Sequence, residues 1–374
     1  MSLFQSLMDL FRENLGLFGG STPAQSNAND IGIDLGTVNT LVCTASKGVV
    51  LREPSVVAVD KSQSPPKVLE VGAAARDMIG RTPEHIHAIR PLRDGVIAEF
   101  EWAEVLLRRF IDRALGDKVF SQGKPGRIII GLPSGVTEVE RRAVGDSAYN
   151  CGARIVNLIA EPMAAAIGAG MPVEQPTGSM IIDIGGGTTE VAVLSLNGIV
   201  VSKSLRIAGD ELNSNIQQYM KTAHGLSIGD RTAEDIKIQL GSACELDKES
   251  EKATMTIRGL NLATGLPDSL VITVPEVRAC ISATLQKLVE GVKATLEITP
   301  PELAADIVEK GIVLAGGGAL LRGMDAYIAS HVAVPVFIAK DPLSCVVLGT
   351  ERLLSDPTYE AILLASEYDP RHYH

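Results

Sequence analysis

The chain has 374 residues, of which 45% are hydrophobic and 21% charged, a composition typical of a globular protein with two or three domains. Its formal net charge of −11 argues against a general nucleic-acid-binding protein, because such proteins carry a basic patch or stripe. The 5 cysteines are widely separated and lack a C-x-x-C spacing, and the 6 histidines form no cluster, so the sequence indicates a reduced cytosolic chain without a zinc site.

The first predicted element is an amphipathic helix in residues 1–20, followed by a linker over residues 21–29 that is rich in Ser, Asn, Pro and Gln. The helix either docks on its own domain or lies in a membrane interface, and the linker favours the membrane. No uninterrupted apolar run reaches the ~18 residues that span a bilayer, so we expect peripheral attachment. Its apolar side chains recur at intervals of three or four residues: Leu3, Phe4, Leu7, Met8, Phe11, Leu15 and Phe18.

A short apolar strand then ends at Asp34 and is followed by a tight turn of small residues. A second strand covers residues 41–45, and Lys47-Gly48 turn the chain into a third. Glycines and short hydroxyl residues allow backbone N–H groups to approach an anion closely, so this turn could hold phosphate. Taken alone, the segment is better explained as an ordinary hairpin, and only a second matching copy would favour phosphate binding.

Two strand-to-helix junctions follow. Residues 127–132 form a buried strand, and Thr137 and Glu140 match a capping box at the start of the next helix. Residues 155–159 form another strand, which leads through Glu161 into a helix that begins at Pro162. Ligands of open α/β sheets lie beyond the carboxyl ends of the strands, where Glu161 stands; its alternative role is to stabilise the helix dipole.

Residues 181–190 repeat the first motif, because both segments read D-x-G-x-x-x-T, with aspartates at Asp34 and Asp183. A second strand over residues 191–196 and the pair Asn197-Gly198, a strong hairpin signal, extend the repeat to a whole three-stranded meander. Two such loops could grip one polyphosphate between related domains. The facing aspartates suit Mg²⁺, which keeps most of its waters and takes few protein ligands.

Near the other end, an apolar strand over residues 311–315 leads into Gly316-Gly317-Gly318. Consecutive glycines before a helix allow a flat ligand such as a base or ribose to lie against the backbone. A tight strand-to-helix turn explains this segment equally well.

In combination these segments resemble the actin, DnaK-type chaperone and sugar-kinase superfamily and, closely within it, the MreB family of bacterial actins. The resemblance spans about residues 30–355. It implies an actin-like α/β fold of the duplicated ribonuclease H type, with two domains around a nucleotide cleft: domain I over residues 30–165, with a small subdomain IB at about 50–90, and domain II over residues 166–355, with a small subdomain IIB at about 208–275. A tail over residues 356–374 has no clear counterpart. The motifs that carry the resemblance are segments 32–40, 53–58, 90–98, 139–143, 161–170, 183–193 and 316–323.

The resemblance also implies roles for particular residues. Asp34 and Asp183 would hold Mg²⁺, mostly through water, and Glu161, assisted by Thr188, would orient the water that attacks ATP. Glu234 and Lys237 match the family's ribose and adenine contacts. The remaining implied nucleotide-binding residues are Gly36, Thr37, Val38, Asn39, Thr40, Gly185, Gly186, Gly187, Thr189, Gly316, Gly317, Gly318 and Ala319.

By the same resemblance, the protein is a slow ATPase that assembles into antiparallel double filaments on the inner face of the cytoplasmic membrane and organises cell-wall synthesis in rod-shaped cells. RodZ, MreC, MreD and cell-wall elongation enzymes are the implied partners, with no nucleic acid. Val119 and Phe120 match an apolar loop that would be a second membrane element, and Val139 would lie near the contact between antiparallel strands or in the core.

Two other functions compete with this interpretation: a small-molecule kinase of the same superfamily, and a scaffold that binds nucleotide without hydrolysing it. A kinase would need an Asp general base and a polar substrate pocket, and no segment can be assigned to either. Ala160 departs from the family pattern, because many relatives carry a second acidic residue there, and the amino-terminal helix is longer than usual.

Overall fold

The computed structural model describes residues 29–116 and 125–373. The predicted amino-terminal helix, most of the linker, and Val119 with Phe120 therefore lie outside the described residues. Among the described helices, none is long and apolar enough to cross a membrane.

Strands and helices are numbered here in chain order. The first half contains β1 (Ile31–Leu35), β2 (Asn39–Thr44), β3 (Gly48–Pro54), β4 (Val57–Asp60), β5 (Lys67–Val71), α1 (Ala73–Asp77), β6 (Ile86–Ile89), β7 (Leu92–Arg93), β8 (Val96–Ile97), α2 (Phe100–Leu115), β9 (Arg127–Leu132), α3 (Glu138–Asn150), β10 (Ile155–Ala160) and α4 (Glu161–Ala169). The second half contains β11 (Ser179–Ile184), β12 (Thr189–Ser195), β13 (Gly198–Leu205), α5 (Gly209–His224), β14 (Leu226–Ser227), α6 (Asp230–Leu240), β15 (Thr254–Asn261), β16 (Pro267–Thr273), α7 (Val274–Glu297), α8 (Pro301–Lys310), β17 (Ile312–Ala315), α9 (Met324–Val332), β18 (Val336–Ile338), α10 (Cys345–Ser355), α11 (Glu360–Ala365) and β19 (Glu367–Tyr368).

Two sheets share one topology. The first has the strand order β19-β10-β9-β1-β2-β3 and the second the order β13-β12-β11-β17-β18. In each sheet an antiparallel meander, β1-β2-β3 or β11-β12-β13, is extended by two parallel strands on the side of its first strand. The meander repeat predicted from the sequence is thus present in the structure, and the parallel strands extend the duplication.

The second meander turns one residue earlier than the sequence indicates. Ser195 pairs with Gly198, so the two loop residues are Leu196 and Asn197, and both have positive φ, at 51° and 61°. This matches a type I′ turn, which requires positive φ at both central residues. The prediction that placed Asn197-Gly198 at the centre of the turn was therefore wrong by one position, and Gly198 instead begins β13.

Two helices form a central layer between the sheets. The inward residues of both sheets pack with α4 and α10 in one apolar cluster, while α2 and α3 cover the outer face of the first sheet and α5 and α7 that of the second. The helices α4 and α10 cross closely, because a Cβ added at Gly168 would collide with the Cys345 carbonyl and one added at Gly349 with the Ala164 carbonyl. Small residues at this crossing bring the two backbones together.

Each sheet has a smaller three-stranded sheet inserted after its meander. The order β5-β4-β6 occupies residues 57–89, and the order β14-β15-β16 lies between α5 and α7. These positions coincide with the small subdomains that the resemblance implies.

The carboxyl-terminal residues return to domain I. Helix α10 packs against β1, β2 and β9, and β19 pairs antiparallel with β10. Asn157 on β10 donates to the Leu363 carbonyl at 2.7 Å, and the buried Tyr368 ring packs on Gly145 of α3. The expected carboxyl-terminal tail, residues 356–374, therefore contributes an edge strand, Glu367–Tyr368, to the first sheet, and α10 packs on the same sheet.

Candidate functional site

The two D-x-G-x-x-x-T loops meet between the two sheets. Asp34 stands near the end of β1 and Asp183 near the end of β11, and each is followed by a turn into the next strand. A Cβ added at Gly186 would collide with the Val38 side chain, so the loops are in direct contact. The contact brings the equivalent turns of the two halves face to face, as the sequence repeat predicts.

A cavity of about 440 Å³ opens at this contact, within the usual size range for small-molecule sites. It lies beyond the carboxyl ends of β1, β10 and β11, where open α/β folds place their ligands. Of the residues singled out from the sequence, those that line it are Asp34, Gly36, Thr37, Val38, Asn39, Glu161, Asp183, Gly185, Gly186, Gly187, Thr188, Glu234, Lys237, Gly316, Gly317 and Gly318.

Three residues predicted to bind nucleotide do not line the cavity. Thr40 hydrogen-bonds through its hydroxyl to the Ser55 hydroxyl at 2.9 Å, and the Thr189 hydroxyl donates to the Ile207 carbonyl at 2.6 Å. Both threonines and Ala319 are fully buried. The closing threonine of the motif therefore ties each loop to the segment after the third strand.

Acidic side chains gather at the inner end of the cavity. Burial raises the pKa of Asp34 to about 7, although the Arg52 guanidinium opposes the shift. Burial, with Asp34 and Glu190 nearby, raises the pKa of Asp183 to about 8. Burial raises the pKa of Glu161 well above its ordinary value, and the nearby carboxylates of Asp34, Asp183 and Glu190 add to this shift. Such a cluster favours a bound cation, which would offset the mutual repulsion.

Glu161 is the first residue of α4, directly after β10, as the sequence predicts, and it is buried. Gly131 on the neighbouring strand β9 lies beside it, because a Cβ added there would be 3.4 Å from the Glu161 Cγ. The capping box of Thr137 and Glu140 is also confirmed, with the Thr137 N–H donating to Glu140 at 2.7 Å. The Glu140 side chain therefore caps the start of α3.

The wall of the cavity on the side of domain II carries a polar network. Lys237 donates to Glu234 at 2.7 Å and to the Gly209 carbonyl at 3.1 Å, and Asn213 donates to Glu234 at 2.6 Å. This network fixes the Glu234 and Lys237 side chains on one face of α6. Hydroxyl and amino groups of a ligand would meet a preformed donor and acceptor pair there.

Three apolar residues that line the cavity were not found by the sequence reasoning. They are Ile238, Leu320 and Leu343, which are 67%, 54% and 40% exposed. One signal was available, because Ile238 falls outside the buried stripe of α6 formed by Ala233, Ile236 and Leu240. An apolar mouth beside a glycine-rich backbone suits a flat aromatic ligand.

Among the described residues, no group of three or more His, Cys, Asp or Glu side chains is arranged to ligate a metal directly. Asp34 and Asp183 nevertheless lie on the same cavity and carry raised pKa values. This donor set suits a hydrated ion that contacts the protein mainly through its own waters, which is how Mg²⁺ usually binds.

The chain matches one protein family over most of its length. The family model described as "MreB/Mbl protein" matches residues 28–361. The chain is 49% identical over 329 residues to the cell shape-determining protein MreB of Escherichia coli strain K12, covering 87% of this chain and 93% of that protein. It is 47% identical over 329 residues to the cell shape-determining protein Mbl of Bacillus cereus, covering 88% and 96%.

Solved structures agree with this match. The crystal structure of MreB5 of Spiroplasma citri bound to ADP has a TM-score of 0.82 and 38% identity, and covers 89% of this chain and 98% of that one. The same protein bound to AMPPNP gives the same TM-score and identity, and covers 90% and 98%. A MamK double helical filament has a TM-score of 0.72 at 23% identity and covers 86% and 97%, a likeness of fold alone. These likenesses confirm the actin-like fold expected from the sequence.

Proposed function

Because the chain belongs to the MreB/Mbl protein family, we propose that it is an actin-like cytoskeletal protein that binds and hydrolyses ATP, forms filaments at the membrane and organises cell-wall synthesis to maintain cell shape. The observation that carries this proposal is the convergence of two equivalent Asp-Gly loops, with Glu161 and Thr188, on one cavity. The ADP and AMPPNP complexes of the Spiroplasma relative support an adenine nucleotide as the ligand.

The cavity offers a place for each part of the nucleotide. Residues 36–39 and 185–188 would contact the phosphates through backbone N–H groups. Glu234 and Lys237 would meet the ribose and adenine. The base would lie along Gly316–Gly318, with Ile238 and Leu343 on its exposed side.

Asp34 and Asp183 would hold Mg²⁺ through its waters, and the metal would neutralise charge on the phosphate oxygens. The clustered carboxylates around the cavity support this assignment, since a cation offsets their repulsion.

Hydrolysis needs one positioned water. Glu161 would accept a hydrogen bond from the water that attacks the γ-phosphorus, while the bond from that phosphorus to the oxygen of ADP breaks. Thr188, across the cavity, would hold the same water or the transferred group. Most of the catalysis in such a site is positioning and electrostatics, so turnover should be slow and act as a timer for the filament.

Filaments would form by head-to-tail contacts, which are heterologous and do not close. For a second, antiparallel strand, Val139 is a candidate contact, because it is 79% exposed near the start of α3 and therefore is not a core residue. The residues 2–18 and Val119 with Phe120 would place the filament on the inner face of the cytoplasmic membrane, where many weak contacts add up through avidity. RodZ, MreC, MreD and cell-wall elongation enzymes would then be partners of the assembled form.

Negative-stain electron microscopy of the purified protein on a lipid monolayer, with and without Mg²⁺ and ATP, tests the proposal. Paired filaments on the lipid are the expected result. Monomers under every condition, together with ATP turnover stimulated by a small molecule, would instead identify a kinase. Filaments without any release of phosphate would identify a scaffold that does not hydrolyse ATP.

The kinase alternative has little support, since the similar MreB and Mbl proteins are named for cell shape and the family match covers most of the chain.

A further inference from the structure

A buried carboxylate joins the two domains beside the proposed catalytic pair. Glu190 on β12 is 1% exposed and accepts hydrogen bonds from the Ser134 N–H at 3.0 Å, from the Ser134 hydroxyl and from the Ser204 hydroxyl. Ser204 lies on β13 in the same sheet as Glu190, whereas Ser134 follows β9 in domain I. Glu190 thus receives hydrogen bonds from both sides of the cleft.

The loop that carries Ser134 lies close against domain II. A Cβ added at Gly135 would come within 2.9 Å of the Ser204 Cβ, so the backbone at Gly135 fits closely against β13. A Cβ added at Gly95 would come within 2.7 Å of Pro133 and 2.9 Å of the Thr188 methyl group. Pro133, Gly95 and Thr188 therefore form one contact.

Strand β9 is connected to both members of the proposed catalytic pair, Glu161 and Thr188, through contacts of residues in it or just after it. Its Gly131 lies beside Glu161, and Ser134, directly beyond its end, bonds to Glu190, two residues after Thr188. Glu161 is attached to domain I through β10, and Thr188 belongs to the domain II loop. The separation of Glu161 from Thr188 therefore depends on how β9 and β12 are held together.

We propose that Glu190 is a positioning residue for the hydrolysis of ATP, which fixes Thr188 relative to Glu161 by binding Ser134 across the domain boundary. This inference rests on the function proposed above. Glu190 does not line the cavity and Ser134 does not either, so neither would contribute to the binding of nucleotide directly.

The ion pairs between the domains are weaker restraints. Arg90 lies 3.8 Å from Asp210 and 3.9 Å from Asp230, and Arg231 lies 3.3 Å from Asp77, but all of these side chains are at least one-third exposed. Exposed pairs of this kind contribute little and are screened by salt. Hydrogen bonds to a buried carboxylate hold their geometry far better.

The test compares two serines that bond to the same carboxylate. Ser134→Ala removes a hydroxyl donated across the domain boundary, and Ser204→Ala removes one donated within domain II. Ser134→Thr restores the hydroxyl. Phosphate release under saturating Mg²⁺ and ATP gives kcat, a fluorescent ATP analogue gives the nucleotide Kd, and thermal unfolding reports any loss of structure.

We expect Ser134→Ala to lower kcat by about tenfold or more while the Kd changes by less than about twofold, since a misplacement of about 1 Å can cost 10²-fold in rate. Ser204→Ala should leave kcat within about twofold of the parent, although both alanine variants lose a similar amount of stability. Ser134→Thr should recover most of the lost rate.

Equal effects of the two alanine variants on kcat would overturn the inference, because the role of Glu190 would then be structural only. A fall in nucleotide affinity with unchanged kcat would overturn it as well. If the parent protein itself releases no phosphate, the proposed ATPase activity is wrong. In that case hydrogen exchange decides the inference separately: Mg²⁺ with AMPPNP should slow exchange of the residue 134 amide more in Ser204→Ala than in Ser134→Ala, which keeps only the backbone N–H bond to Glu190. Equal protection in the two variants would refute the link.

Discussion

The hydroxyl groups of Thr40 and Thr189 occupy equivalent places in the two halves, and each hydrogen-bonds to the segment that follows the third strand of its meander. In the first half the acceptor is the Ser55 hydroxyl, which donates its own hydrogen to the Gly36 carbonyl at 2.6 Å. In the second half the acceptor is the Ile207 carbonyl, and the nearby Gly209 N–H donates to Gly185 at 3.2 Å. The motif threonine therefore supports each D-x-G-x-x-x-T loop from the side that faces away from the cavity.

The neighbours Thr188 and Thr189 should respond differently to the same change. Thr189→Val should lower the free energy of unfolding by about 1–3 kcal/mol, because it removes the buried Thr189 hydroxyl and leaves the partly buried Ile207 carbonyl without this donor. Thr188→Val alters a residue that lines the cavity and should lower kcat with little loss of stability. Denaturant unfolding and phosphate release, measured on both variants, check this division; a larger loss of stability in Thr188→Val would contradict it.

Replacing the proposed catalytic carboxylate should separate binding from turnover. Glu161→Gln keeps the shape of the side chain but removes its negative charge and its ability to take a proton from the attacking water, so phosphate release should fall by about 10²-fold or more. The nucleotide Kd should stay within about threefold, a small change on the scale of binding energies.

Glu140→Gln is the matched control for that variant, because Glu140 is held in the capping box of α3 and a glutamine completes such a box as well. Its turnover should equal that of the parent. If both variants lost activity equally, a general effect of removing acidic charge would explain the result.

Without a ligand, the protein should become less stable as the pH rises. The folded protein has a pKa of about 7 at Asp34 and about 8 at Asp183, whereas both carboxyl groups titrate near pH 4 when unfolded. Between these values the folded state binds more protons than the unfolded state, so the free energy of unfolding falls with rising pH through this window. Differential scanning fluorimetry should show Tm declining between about pH 5 and pH 8.5.

Asp183→Asn removes one of these titrating groups and should flatten that decline. Mg²⁺ with ADP should also flatten it in the parent protein, because the ionised carboxylates then have a cation to bind. The same slope in the parent and in Asp183→Asn would show that the pH dependence arises elsewhere in the chain.

The amino-terminal residues should control membrane binding. Deleting residues 2–18 removes seven apolar side chains at helical spacing and should abolish most sedimentation with liposomes. Phe11→Glu should weaken sedimentation, since it places a charge on the apolar face, whereas Glu13→Gln, on the polar face, should not. Full retention after the deletion would move the anchor to Val119 and Phe120 or to another part of the chain.

The sequence predicts the elements whose signal is local or repeated. The duplicated motif, the strand-to-helix junction at Glu161 and the capping box at Thr137 all depend on neighbouring residues, and the structure contains each of them. A repeat also predicts how distant segments are arranged, because two copies of one meander imply two equivalent sheets that face a shared cleft.

Contacts between distant segments were not predictable in this way. The bond between Ser134 and Glu190 joins residues 56 positions apart, and Ser134 belongs to none of the motifs found in the sequence. The buried roles of Thr40 and Thr189 were missed for a related reason, since a threonine beside a glycine turn has the same signal whether its hydroxyl faces the ligand or the backbone behind it. The edge strand β19 has only two residues and carries no period.

The path of the chain has a consequence for its synthesis. All strands of the second sheet lie in one continuous stretch, residues 179–338. The first sheet, in contrast, is completed by residues beyond 344, which supply its edge strand β19 and the helix α10 that packs on it. Domains usually fold as units while the chain emerges from the ribosome, beginning at the amino terminus. We expect the reverse order of completion here: a chain truncated after residue 342 and released from the ribosome should yield a protease-resistant fragment of domain II while domain I is still digested. Equal resistance of both domains at that length would refute this expectation.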